Sequence, residues 1–583
     1  MKTPLRVWNK TALSFAILGL ALSFGLEAQE EAAAQADGGS DQPFIDVVDV
    51  NVINVDVYVT DKKGNRITGL KRDDFELLED GKPVTVTNFY AVEGGRPIEG
   101  GVEPKPPAEG EERAPRLNLR QQQLETPEDQ KLSLILYFDN LFLKPFNRNK
   151  VVRQTRQFIY ENVNPGDRVM LVTFDRSLHV RHPFTTDMRA IADALHEIEI
   201  LSGFAVQADS ARRDVMRRFE DAPTVIEAEG HIDLYSQSLH FDVETTIRNL
   251  KEMVRSLAGL PGRKAILHVS DGIPMTAGED LYAMLDSRFG DDAAGGSLRA
   301  RRYSVRRRIR ELTANANANR VTFYTLEAAG LRSHTSLSAE YGGSRGTDGV
   351  VAGSRIEADA IRMQSNQETL MMMAHDTGGL ATLGTNNLAG GLSSMAEDFR
   401  NYYSLGYSSA NSGDGRYHDI EVRVKRKGWQ VRHRTGYRDK TPETHLSEGT
   451  LAALLYNLDS NPLGIELLFE SARYDDKDHW LLPIEVRVPL GNATLIPQVE
   501  NHLGRLRFSV AVIDEDGRMS PVEQTAVPLS IPLDQIEVAR KQYYVYTVEL
   551  RMRRGRQKVA VGVRDELAAE SSYTRRPIQI GRS

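Results

Sequence analysis

Three short, nearly unbroken apolar runs constrain this chain most: LSLILYF (132–138), RVMLVTF (168–174) and KAILHVS (264–270). A run that stays apolar instead of alternating marks a strand covered on both faces, as in a parallel sheet flanked by helices. The intervening segments carry helical spacing. Residues 149–162 set Val152, Phe158 and Ile159 inward, and residues 187–201 do the same with Ile191, Leu195 and Ile198. Residues 241–260 form a long amphipathic stretch closed by Gly259 and Pro261-Gly262. A polar, mostly helical stretch at 209–222 reads as an insertion or a lengthened crossover. Beyond lie a helix at 299–316, a strand VTFYTLEA (321–328), a helix at 367–375 and a short edge strand at 378–381. A helix at 392–399 and NYYSLGYSS (401–409), read as a last strand, close the series. The alternation predicts an α/β fold over 131–410, with a doubly wound, mainly parallel sheet.

The flanks read differently. Residues 44–92 are rich in β-branched residues, with turn signals at Asp61-Lys62-Lys63-Gly64-Asn65 and Glu79-Asp80-Gly81-Lys82, and predict a small β-domain. Residues 93–130, rich in Gly, Pro and Glu, read as a linker, and Gly/Ser-rich 330–354 as a loop. After Tyr417 the period becomes two, and 411–440 is expected to form a β-hairpin extension. Strands separated by turns over 450–583 predict a C-terminal all-β sandwich-like domain.

Lys2, Arg6 and Lys10 precede an apolar stretch at 11–26 and then a small, polar segment. This is the layout of a signal peptide over 1–28 followed by a low-complexity linker over 29–43, and it predicts export to the periplasm, the outer envelope surface or the medium. The other reading of the stretch is a retained N-terminal anchor, because Leu26-Glu27-Ala28 is a poor cleavage site. The chain has 583 residues and no cysteine, which excludes disulfides, thiolate metal sites and lipidation through cysteine. A net charge of −8 gives no reason to expect a nucleic-acid partner.

In a doubly wound sheet, ligands bind beyond the carboxyl ends of the strands. Asp139 follows the first apolar run and Asp271 the third. Two such carboxylates, with hydroxyls and waters, could hold Mg2+ or Ca2+; an Asp in this position also simply starts a turn or caps a helix. The order LSLILYFDN, GDRVMLVTF, KAILHVSDG, VTFYTL resembles a von Willebrand factor A domain. More narrowly, residues 44–437 are similar to the VWFA-related exported proteins of Acidobacteria, through VDVYVTDKKGNRITGLKRDDFELLEDGKPVTVTNFY and YYSLGYSS…HDIEVRVKRKGWQVRHRTGY. The resemblance implies a cation site built on Asp-x-Ser-x-Ser, a Thr and a second Asp. Asp139 and Asp271 match the acids, and Thr185 or Thr186 is the candidate Thr, but Leu141 and Leu143 stand where the serines belong. A degenerate site with no cofactor is expected, and a binding surface around Asp139, Asn140, Asp271 and Gly272.

Other groups have plainer readings. His231/Asp233 and His240/Asp242 read as surface pairs, His375-Asp376 as a helix end, and His268 as a satisfied core histidine or one that orients a ligand. The arginines of 299–310 read as the wet face of a helix, with a polyanion contact as the other reading. The acidic groups at 475–478 and 514–517 read as turns. No phosphate-binding loop is present, and Gly406-Tyr407-Ser408-Ser409-Ala410 lacks the second glycine of a nucleophile elbow. The expectation is a non-enzymatic binding or scaffolding protein recognising a protein or glycan; a cation-dependent adhesion module and an unrecognised hydrolase are the alternatives.

Overall fold

The computed structural model describes residues 52–98, 131–293, 295–331, 349–409, 414–456, 460–476 and 479–581. The expected signal peptide, the segment at 29–43, nearly all of the linker and most of the Gly/Ser-rich loop lie outside these. Two compact units are present, Val50–Pro442 and one containing Glu443–Ser583.

The first unit opens with β1 (Val52–Thr60), β2 (Phe75–Glu79), β3 (Lys82–Val84), β4 (Asn88–Glu93) and β5 (Arg96–Ile98). The apolar runs then become β6 (Leu132–Asp139), β7 (Arg168–Phe174) and β9 (Arg263–Ser270), joined by β8 (Leu178–Thr185), β10 (Val321–Glu327) and β11 (Ala381–Thr382). They form one six-stranded sheet, ordered β11-β10-β9-β6-β7-β8. All its pairings are parallel except that of β8 with β7. Counting from β6, this is the doubly wound order 3-2-1-4-5-6, whose direction reverses between β6 and β9.

The helices are α1 (Pro145–Asn162), α2 (Met188–Ile198), α3 (Ala205–Asp221), α4 (Val225–Ser256), α5 (Glu279–Phe289), α6 (Gly296–Ala300), α7 (Arg306–Ala318), α8 (Gly349–Asp376) and α9 (Leu388–Arg400). Alternation along β6 and β9 sends Leu134, Leu136, Leu267 and Val269 to one face, where α1, α2 and α9 bury Val152, Ile191 and Leu392 against them. The other face of β10 carries Thr325, whose Oγ1 donates to Leu370 O of α8. At 32 residues α4 is about 48 Å long, far longer than the strands. With α3, α5 and α8 it builds a separate small core around Val215, Phe219, Ile232, Leu281 and Leu285.

The last strands of this unit correct the expected boundaries. β12 (Tyr402–Ser408), β13 (Tyr417–Val424), β14 (Gln430–Arg432) and β15 (Gly436–Arg438) join the N-terminal strands. The two resulting sheets are ordered β14-β1-β12-β4-β5 and β15-β13-β2-β3. So 401–409 is not the final strand of the parallel sheet, residues 44–92 are not a closed domain, and 411–440 is no simple hairpin, since β14 and β15 enter different sheets. The reason is coverage: Val55, Val57, Phe75 and Leu77 need Leu405, Tyr407, Ile420 and Val422 opposite them to close a core. The α/β domain is thus an insertion in a discontinuous β-module.

Charged groups tie the two together. Asp398 on α9, with no exposure, accepts from Arg432 (2.7 and 3.0 Å) and from Tyr324 Oη (3.1 Å), and also pairs with Arg66. Arg263 at the start of β9 reaches Asp56 (3.0 Å) and Tyr58 Oη (2.8 Å) and stacks on Tyr402.

The second unit begins with α10 (Pro442–Tyr456), a helix where only strands were expected. Its Ala453 and Leu454 cover Ala511 and Ala560. One sheet holds β16 (Glu466–Phe469), β17 (Arg473–Tyr474), β18 (His479–Pro489) and β22 (Tyr543–Arg553). The other holds β19 (Ile496–Pro497), β20 (Asn501–Asp514), β21 (Glu523–Pro532), β23 (Gly555–Asp565) and β24 (Glu570–Ile580), with a short α11 (Ile536–Ala539) following β21. Both inner faces meet in a core of Ile484, Val486, Phe508, Val548 and Val561.

Candidate functional site

The carboxyl ends of β6 and β9 lie side by side, with Phe138 opposite Val269. Asp139 and Asp271 therefore share one rim, at the point where the strand order reverses. They are held very differently. Asp139 has no exposure; its Oδ1 accepts from the amides of Leu141 (3.2 Å) and Phe142 (3.4 Å), and Ser270 Oγ donates to its Oδ2 (3.4 Å). Burial pushes its carboxyl up to about 7, against the opposing pull of those amide hydrogen bonds. Asp271 accepts from Lys144 N (3.0 Å), and Asn147 Nδ2 stands 3.0 and 2.9 Å from its two oxygens.

The remaining groups of the implied cation site do not supply the missing oxygens. Leu141 and Leu143 are buried apolar side chains. Thr185 pairs with Val169 at the start of β7, whereas Asp139 pairs with Phe174 at its end. That puts Thr185 about 16 Å along the strand from the rim. The antiparallel course of β8 carries it to the opposite end of the sheet, where its Oγ1 accepts from Asp187 N just before α2. Thr186 follows it there, exposed. The rim instead receives Phe204, whose amide donates to Asn140 O, and Ala205, which begins α3. Hard cations require six or more oxygens at fixed distances, and this donor set does not fit one.

Nor do Asp139 and Asn140 present a surface. Asn140 is 1% exposed and its Oδ1 accepts from Arg148, a wholly buried arginine that also donates to Leu201 O. Only Asp271 and Gly272 of the four expected surface residues line open space. That space is a cavity of about 370 Å³ between the rim and the helical layer, bordered also by Lys144, Arg212, Glu279, Arg362 and Asn366. Arg212 pairs with Asp280 at 2.5 Å, and Lys144 with Asp209 at 2.5 Å. Burial raises the Glu279 carboxyl. The side-chain amide oxygen of Asn366, Oδ1, is buried without a hydrogen-bond partner, whereas its backbone carbonyl accepts from Ile273 N. Arg212 had a legible signal: Ala205, Arg212, Val215 and Phe219 share one face of α3, so a cation is turned inward with apolar residues. Asn147, Glu279 and Asn366 left none.

The other groups resolve into contacts. His268 is fully buried with neither ring nitrogen hydrogen-bonded, so it is a core histidine but not a satisfied one; it stacks on Tyr137, and burial lowers it to about 3. Asp233 pairs with Arg302 and Asp242 with Arg176, while His240 meets Tyr303 O. Arg299, Arg306, Arg307 and Arg308 each pair with a glutamate. Asp475 pairs with Arg551, and Asp514 accepts the amides of Asp516 and Arg518 within its own turn. Ser177, His179 and Asp175 cluster on a turn, but serine and aspartate both contact Nε2 of the imidazole, at 2.9 and 2.7 Å. A Ser-His-Asp relay needs one partner on each nitrogen.

No protein-family model matches the chain, and no curated protein does either. Among solved structures it is similar to the conserved hypothetical protein BatB of Bacteroides thetaiotaomicron, at 13% identity over 46% of this chain and 99% of that one, with a TM-score of 0.19. An aerotolerance-related membrane protein of Bacteroides fragilis aligns at 10% identity over 46% and 98%, with a TM-score of 0.20. Proximal thread matrix protein 1 of the mussel byssus aligns at 11% over 46% and 48%, with a TM-score of 0.21. At these values the likenesses carry no argument about activity.

Proposed function

We propose that this chain is an exported binding or scaffolding protein whose von Willebrand factor A-like domain engages a protein, or a glycan, in the crevice above β6 and β9, without a divalent cation at that crevice and without catalysis. One observation carries the reading: the crevice opens at the switch point of the sheet, while the Asp271 carboxylate on its floor is already met by Asn147 and the Lys144 amide. The order of the apolar runs and the leader-like residues Lys2, Arg6 and Lys10 before an apolar stretch support the domain and the export.

Ala208 is exposed and borders the crevice, so Ala208→Trp fills its mouth without entering a core. The partner captured by crosslinking on intact cells, or the glycan bound on an array, is expected to be lost with this variant at unchanged thermal stability. Undiminished capture contradicts the crevice as the recognition site, and turnover of an ester, peptide or glycoside by the purified chain contradicts a binding-only role.

A further inference from the structure

The β-module carries a second cluster of titratable groups, remote in sequence and unrelated to the strand tips. Glu79 ends β2, Asp80 follows it in the turn to β3, and His418 lies on β13, which pairs with β2. One donor atom from each lies within 4.8 Å of the others. His418 Nδ1 stands 2.8 Å from Asp80 Oδ2 and 3.8 Å from Glu79 Oε1. Ligands about 2.1 Å from one metal ion are separated from each other by roughly 3–4 Å, so small adjustments centre an ion among these three atoms. The far nitrogen, Nε2, contacts Asp414 at 3.1 Å. Nδ1 hydrogen-bonds Asp80 in this state, and an ion would take the place of that proton while Asp414 continues to orient the ring through Nε2. Tyr437 Oη and Ser409 Oγ donate to Glu79 Oε1 at 2.8 and 2.7 Å, orienting that carboxylate. Glu79 and His418 are each 5% exposed, whereas Asp80 faces solvent, which gives an ion an entry side and waters to complete its shell.

We propose that Glu79, Asp80 and His418 form a binding site for a divalent first-row transition metal, with Zn2+ as the reference ion, which clips the β2–β3 turn to β13. One imidazole and two carboxylates suit Zn2+ or Mn2+, and the nitrogen donor disfavours Ca2+ and Mg2+. Binding displaces the proton from Nδ1 into solvent. The chain has no cysteine to compete for the ion.

The test is calorimetric titration of ZnCl2 into the chelator-treated full chain, without an affinity tag, in two buffers of different ionisation enthalpy. One ion per chain is expected, with proton release and a saturable rise in melting temperature. His418→Gln and Asp80→Asn are each expected to weaken binding about tenfold or more. Asp80 is on the exposed turn, so that variant stays informative if His418→Gln fails to fold. Three results overturn the proposal: no saturable Zn2+ binding, binding unchanged in Asp80→Asn and in a folded His418→Gln, or Ca2+ binding as tightly as Zn2+.

Discussion

Asn147 holds its amide nitrogen 3.0 and 2.9 Å from the two carboxylate oxygens of Asp271, capping both. A neutral donor there, together with the Lys144 amide, satisfies the carboxylate that the resemblance would assign to a metal. Asn147→Ala removes a hydrogen bond to a charged group and is expected to cost about 1.5–3 kcal/mol in urea unfolding. A loss well below 1 kcal/mol would show that the contact does not hold the rim.

Asp139 titrates near 7 in the folded chain against 3.8 unfolded, because burial favours its neutral form. Between those values the folded state holds a proton that the unfolded state releases, so this stabilising contribution is complete below about pH 4 and lost as pH rises through about 7. Asp139→Asn keeps an acceptor for the Leu141 and Phe142 amides without the charge. It is expected to gain on the order of 4 kcal/mol relative to the native chain above neutrality and little in mild acid. Equal differences at both pH values would contradict the shift.

His268 acts in the opposite sense. Burial lowers it from 6.5 to about 3, so it stays neutral while the unfolded chain takes up a proton. Its contribution is present above about pH 6.5 and is lost as pH falls towards about 3. In chemical unfolding across this range, His268→Phe should lose stability less steeply on acidification than the native chain; a parallel loss would argue against a buried, neutral imidazole.

Leu143 has no exposure and stands where the implied site would have a serine. Leu143→Ser removes buried apolar volume and introduces a hydroxyl, and should cost about 3 kcal/mol or more in urea unfolding without creating Mg2+ binding, since Asp271 remains engaged. Mg2+ binding gained by this one change would show that the leucine alone had closed the site.

Asp398 joins the α/β domain to the β-module through Arg432 and Arg66. Asp398→Ala leaves arginines without their carboxylate, and a loss of about 3–5 kcal/mol in denaturant midpoint analysis is expected. Unchanged stability would mean that the two parts hold together without it.

Much of the central geometry was legible. A run that is apolar on both faces announces a buried strand, and three of them alternating with helices leave few arrangements other than the observed sheet. Two acids just after two such runs then fall on one rim. Residues 402–408 look the same to this test but pair with β1 and β4, because an apolar run says that a strand is buried and not which partners bury it. Thr185 was misplaced because β8 is half-polar and its antiparallel direction is set by pairing, not by its own residues. Asn147, Glu279 and Asn366 reach the crevice from α1, α5 and α8, and only tertiary packing gathers them.

The central proposal is that the strand tips bind no divalent cation. Calorimetric titration of Mg2+ and of Ca2+ into the chelator-treated full chain tests this most directly. No saturable heat is predicted for either ion. A one-to-one isotherm abolished by Asp271→Asn would contradict the account and return the site to cation-dependent adhesion.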